Sequence, residues 1–152
     1  MDRQIEAEPG PVGFLMETAA LILIDMQRDF LEPGGFGELL GNDVSLLRNT
    51  IEPCGLVLDS ARRNGLFVLH TREGHRTDLS DAPESKLKRG NLSVGIGDEG
   101  PMGRVLVRGE KGHDIIPELS PLPQEPIIDK PGKGAFFATD LDLILRNRNI
   151  AT

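Results

Sequence analysis

The chain has no tryptophan, no tyrosine and a single cysteine, Cys54, among its 152 residues. One cysteine excludes an internal disulfide framework and suits a reducing compartment, so a cytoplasmic location is expected. Long apolar runs are missing too. The longest, residues 19–24 (AALILI), falls far short of the roughly 20 residues that cross a bilayer. The opening MDRQIEAEPGPVG lacks the basic-then-apolar build of a secretory leader. Basic residues are in deficit, 17 against 24 acidic for a net charge of −7, and they are scattered rather than clustered. Phosphate backbones and anionic membrane surfaces both call for a basic face, so neither partner is expected.

What is present suits one soluble globular domain: 38% hydrophobic and 27% charged residues on a chain long enough for a single core. Residues 1–17 are acidic, carry Pro and Gly, show no periodicity and read as a loosely held arm before a domain spanning 18–152. Residues 18–25 (TAALILID) form an apolar run closed by an acid, the pattern of a strand buried on both faces of a parallel sheet. Residues 26–43, with Pro33-Gly34-Gly35 as breakers, read as a loop. Apolar positions at three- and four-residue spacing predict helix over 45–64, with Pro53 as a kink or restart and Asn64-Gly65 as the stop. Residues 66–70 (LFVLH) read as the next strand.

A long polar, glycine-rich stretch from 71 to 112 follows, with a short strand over 105–107, and loops of that length usually build a site. A short helix over 115–119, a third strand over 126–129 and a helix over 139–148 complete the chain. Strands alternating with helices predict an α/β fold with a three-layer, Rossmann-like, mostly parallel sheet. The sheet reads as lacking its C-terminal strands, because another strand is due after Asn149-Ile150.

Ligands of open parallel sheets sit outside the carboxyl ends of the strands. Asp25, the His70-Thr71-Arg72-Glu73 run and Lys130 fall at such ends. An acid and a lysine on nearby strands can face one crevice, or can form a structural ion pair capping the sheet edge. His70, His75 and His113, with Asp78 and Asp81, are possible metal ligands, but no zincin spacing joins them and no metal is expected. Gly95-Ile96-Gly97 opens no helix after the first strand and is no dinucleotide fingerprint. The charged run 84–89 reads as a solvated face.

The segments ALILIDMQRDF, LFVLHTREGHRTDLSD and GRVLVRGEKGHDIIPELSPLPQEPIIDKPGKGAFFATDLDLILRNRNI resemble the front of isochorismatase-like cysteine hydrolases, from about Thr18 to the end. HTREGHR, the stretch from Ile96 to Arg104 and IIDKPGKGAF resemble biuret hydrolase more narrowly, although amidases of related ureides share much of the pattern. The resemblance implies an isochorismatase-like hydrolase fold and a cofactor-free amidohydrolase of small linear amides. It implies an Asp-Lys-Cys triad in which Asp25 takes the thiol proton and Lys130 holds the thiolate. Lys133, in the same PGKG turn, is the rival for the lysine role. Gln27, Phe30 and Phe136 match pocket-lining positions, with polar loop contact and core packing as the bland alternatives. Arg72 and Glu73 are candidates for substrate hydrogen bonding, with a surface salt bridge as theirs.

The family's nucleophile lies one strand beyond Thr152, and nothing between Phe136 and Thr152 matches it. Cys54, in the first helical segment, reads as a small buried apolar residue. The 152 residues alone are therefore expected to be inactive and to be poorly stable or prone to aggregate through an exposed strand edge. Homo-oligomers are expected from the resemblance. The rival expectation is a non-catalytic remnant kept as a binding or oligomerisation module, or a different hydrolase of the superfamily acting on ureidoacrylate, isochorismate or nicotinamide.

Overall fold

The computed structural model describes residues 2–88 and 93–152. Strands β1 (Asp2–Ile5) and β2 (Val12–Leu15) pair antiparallel as a hairpin, where the sequence showed only an arm without periodicity. A 3-10 turn at Met16–Thr18 leads into β3 (Ala20–Ile24). The expected loop after it holds two single-turn helices, α1 (Arg28–Leu31) and α2 (Phe36–Leu39). Between them Gly35 is required by space: a Cβ there would meet the main-chain oxygens of Asp29 at 2.5 Å and Arg28 at 2.9 Å. Main chain cannot swing aside as a side chain can. Gly35→Ala is expected to cost at least about 2 kcal/mol, read as a fall in the urea midpoint with an unchanged slope.

The helical stretch that follows divides into α3 (Val44–Arg48) and α4 (Ile51–Arg63). Pro53 explains the division. It sits in the first turn of α4, where its missing N–H costs nothing, and its ring forbids a continuous helix through residue 49. β4 (Phe67–Glu73) runs three residues further than the apolar pattern indicates, carrying Thr71, Arg72 and Glu73 within the strand. Beyond it lie α5 (Glu84–Leu87), the two-residue strands β5 (Glu99–Gly100) and β6 (Gly103–Arg104), a 3-10 turn at Pro117–Leu119, β7 (Ile127–Lys130) and α6 (Leu141–Asn147).

The strand expected over 105–107 does not form. Leu106 has φ 50°, outside the extended region, and its N–H is drawn to the Asp29 carboxylate at 3.0 Å. Val105, Leu106 and Val107 are nonetheless buried, and Val105 and Leu106 tie the long loop to Phe36 and Phe30.

The main sheet has the order β3-β4-β7, all parallel. Alternation along β4 sorts the two faces. Val68 packs with Leu58 and Ala61 of α4, together with Leu23, Ile116 and Leu119. Leu69 points the other way, to Ile128 and Leu141 of α6. This is the three-layer α/β arrangement. β3 is covered on both faces, Leu21 and Leu23 against the α4 side and Ile22 against the Leu69 cluster. As an edge strand it is only partly buried, and Ile24 at its end is 63% exposed. On its outer side Thr152 accepts from the Ala20 N–H (2.9 Å), while the Ala151 and Thr152 N–H groups donate to Thr18 O.

Candidate active site

Asp25 closes β3 and adopts φ 55°, a left-handed conformation unusual for a side chain with a Cβ. β4 holds it there. The Asp25 N–H donates to Thr71 O (3.1 Å), and Thr71 Oγ1 donates to Asp25 Oδ1 (2.7 Å). Lys130, the last residue of β7, is 1% exposed, and its Nζ donates to Asp25 Oδ2 at 2.6 Å and to Gly132 O at 2.9 Å. The carboxylate from the first sheet strand and the ammonium from the third thus meet at the carboxyl ends of the strands.

Parallel register decides which of the other charges join them. Glu73 lies beside Lys130 in the ladder and on the same face; its Oε2 is 3.8 Å from Lys130 Nζ and its Oε1 2.6 Å from Lys86 Nζ. Arg72 lies beside Asp129 on the opposite face and is spent there on Asp129 (2.7 Å) and Asp114 (3.1 Å). Of the two residues expected to hydrogen-bond substrate, the fold brings Glu73 to the Asp25–Lys130 pair and carries Arg72 away from it.

Gln27 is fully buried, and its side-chain amide hydrogen-bonds to backbone. Its Oε1 accepts from the Glu73 N–H (2.7 Å), and its Nε2 donates to Glu73 O (2.9 Å) and His113 O (3.0 Å). It locks the end of β4, and with it Glu73, rather than lining a cavity. Phe30 does line one, a cavity of about 740 Å³ that also takes in Glu73, Lys86, Lys133, Phe36 and Leu106. Phe136 is elsewhere, in a second hollow against Ala20, Ile22 and α6. Its neighbour Phe137, 76% exposed, lines the 740 Å³ cavity in its place.

Lys86 was not a candidate from sequence, where it sat inside a run read as solvated. Its side chain is only 20% exposed and turns inward, to Glu73 and to Pro131 O (2.9 Å). Arg89, at the end of that run, lies outside the described residues. Thr71 and Lys86 share a missed signal: each gains its role only from a neighbour distant in the chain.

The histidines do not converge. His70 Nε2 lies 3.0 Å from Glu125, His75 Nδ1 3.2 Å from Asp81, and His113 Nε2 3.5 Å from Asp129. Among the described residues no group of three or more His, Cys, Asp or Glu is placed to hold a metal ion. Burial pushes His113 down to about 4, the Arg72 charge assisting and Asp129 and Asp114 opposing. Burial likewise raises the carboxyl of Asp29, against the N–H groups of Leu106 and Phe36. Cys54 packs from α4 onto the Leu58 and Leu119 core and is not part of this site. No helix among the described residues is long and apolar enough to cross a membrane.

Residues 19–152 match the family model described as the isochorismatase domain. The chain belongs to the isochorismatase family. Curated relatives include the ureidoacrylate amidohydrolase of Pantoea ananatis, 29% identical over 98% of this chain and 61% of the relative. That of Cronobacter turicensis is 32% identical over 95% of this chain and 64% of the relative. The chain thus spans a little over three fifths of the length of these relatives. These matches carry ureidoacrylate rather than biuret in their names. Among solved structures, an isochorismatase family protein from Desulfovibrio vulgaris superposes with TM-score 0.67 at 32% identity, covering 88% of this chain and 63% of the other. N-carbamoylsarcosine amidase from Thermoplasma acidophilum gives 0.64 at 25%, covering 89% and 64%.

Proposed function

We propose that this isochorismatase domain supplies the acid and the cation of a cysteine-dependent amidohydrolase. The enzyme cleaves the C–N bond of a small linear amide or ureide, with biuret as the first candidate, and needs no cofactor. The supporting observation is the 2.6 Å contact between Lys130 Nζ and Asp25 Oδ2 at the strand ends. A cysteine attacks only as thiolate, and a nearby ammonium favours that form while a carboxylate takes the proton. The thiolate adds to the carbonyl, the C–N bond breaks with the proton passing to the leaving nitrogen, and water cleaves the resulting thioester. The neighbouring 740 Å³ cavity is ample for a small linear ureide.

Cys54 sits in the α4 layer, so this reading takes the thiolate from outside the 152 residues. A cytoplasmic, homo-oligomeric enzyme fits the same reading. A second reading, a binding or oligomerisation module, draws on exposed Ile24, Phe136 and Leu143 around the β3 edge and α6.

Ammonia release from biuret separates the possibilities. The 152-residue chain is expected to give none above background. Turnover that disappears in Cys54→Ala would move the nucleophile to α4 and overturn the triad. In any longer form that does turn over, Asp25→Asn or Lys130→Met is expected to lower kcat by about 10³-fold or more. Unaltered kcat in both variants would end the reading.

A further inference from the structure

An ammonium group has three N–H bonds to give, and Lys130 has acceptors for two of them. Asp25 Oδ2 takes one at 2.6 Å and Gly132 O takes another at 2.9 Å. The third has no acceptor at hydrogen-bond distance among the described residues, since Glu73 Oε2 stands 3.8 Å away. For a side chain only 1% exposed, an unused donor is costly. What keeps Glu73 at that distance is Lys86. Its Nζ lies 2.6 Å from Glu73 Oε1 and also donates to Pro131 O at 2.9 Å. Asp25, Lys130, Glu73 and Lys86 thus form a line of alternating charge, with steps of 2.6, 3.8 and 2.6 Å. The long middle step is the informative one. Glu73 and Lys130 are ladder neighbours with largely buried side chains, so opposite charges there would close to a full ion pair unless the carboxylate were held elsewhere. Gln27 fixes the Glu73 backbone, which leaves the choice of partner to the side chain alone.

We propose that Lys86 is a positioning residue of the Asp25–Lys130 pair: it holds Glu73 back and so reserves the third N–H of Lys130 for the thiolate. This rests on the amidohydrolase reading for the identity of the anion, and on the four charges alone for the reserved N–H. When the thiol proton passes to Asp25, the sulfur keeps the electron pair, and its negative charge needs a donor that is still free. With Lys86 gone, Glu73 would take that donor, and a second carboxylate beside the ammonium would oppose the thiolate. Lys86 acts on the pair only through Glu73.

The test is the NMR signal of the Lys130 side-chain ammonium in the full 152-residue chain, read as its nitrogen shift and its rate of proton exchange with water. Lys86→Met is expected to displace the shift and to slow exchange about tenfold, the scale of one added charge-assisted hydrogen bond. Lys86→Arg, which can still grip Glu73, is expected to leave both as in the parent. Adding Glu73→Met to Lys86→Met should return both to the parent values, because the competing acceptor is gone. Glu73→Met alone should also match the parent, and it decides the matter if Lys86→Met does not fold. An unmoved signal in Lys86→Met, a change that persists in the double variant, or faster exchange in Glu73→Met alone would overturn the proposal. The amidohydrolase reading fails separately, through the biuret assay, and its failure would leave the reserved N–H standing while removing its use.

Discussion

Lys130→Met is expected to lower the free energy of unfolding by about 3 kcal/mol. Methionine fills most of the volume, so the loss is electrostatic rather than a cavity effect. The ammonium is 1% exposed and serves the Asp25 carboxylate at 2.6 Å and Gly132 O at 2.9 Å, with Glu73 at 3.8 Å. Removing it leaves a carboxylate and a carbonyl in a crevice without their donor. The Asp25 side chain keeps 20% exposure and its Thr71 hydrogen bond, so water recovers part of the loss, which sets the cost at the low end for a broken buried pair. Asp25→Asn should cost less, because the amide keeps an acceptor and Glu73 remains near the ammonium. The double variant should cost less than the sum, since both changes act on one contact. Urea unfolding with a constant slope is the measurement. A change below about 1 kcal/mol for Lys130→Met would show that the pair is solvated in a way its burial does not allow.

Acidification from pH 6.5 to 4 is expected to remove stability of a similar size. His113 is fully buried and held down to about 4, chiefly by burial. Burial also lowers His70 and His75, against the pull of Glu125 and Asp81. A histidine lowered in the fold stays neutral while the unfolded chain takes up a proton near 6.5. Its stabilisation is complete above that pH and is lost as pH falls toward the folded value. For His113 the gap of about 2.5 pH units corresponds to roughly 3 kcal/mol at 1.36 kcal/mol each. Glu125 extends the loss. Burial raises it, but Arg62, the Leu122 N–H and His70 together outweigh burial and hold it at about 2. That contribution is present above the ordinary value of 4.5 and disappears as pH falls toward 2. Urea midpoints measured from pH 8 to 4 should be flat above 7 and decline below 6.5. His113→Phe should flatten the first part of the decline, and a flat profile in the parent would contradict the buried neutral ring.

The periodic parts of the chain were legible. Apolar runs marked β3, β4 and β7, and acids or bases at their ends marked Asp25, Glu73 and Lys130, because strand termini in a parallel sheet are where chemistry collects. The division between α3 and α4 was legible in Pro53. What escaped depends on pairs far apart in sequence. The N-terminal hairpin needs its two short strands to find each other, and neither carries an alternating pattern strong enough alone. The inward turn of Lys86 depends on Glu73, and the loss of a strand at Leu106 depends on Asp29, 77 positions away. Arg72 and Glu73 look equivalent in a string of letters. Only the pleat assigns one to Asp129 and the other to Lys130. Phe136 and Phe137 were separated the same way, by the path of a turn that no propensity specifies.

The left-handed backbone at Asp25 has a practical consequence. The direction of that carboxylate is set by the main chain as much as by its side-chain torsions. A β-branched replacement there would force the peptide out of its bend and drag the Thr71 contact with it, confounding lost charge with lost shape. Asparagine tolerates the same bend, so it is the substitution that removes the negative charge and leaves the architecture of the crevice as it stands.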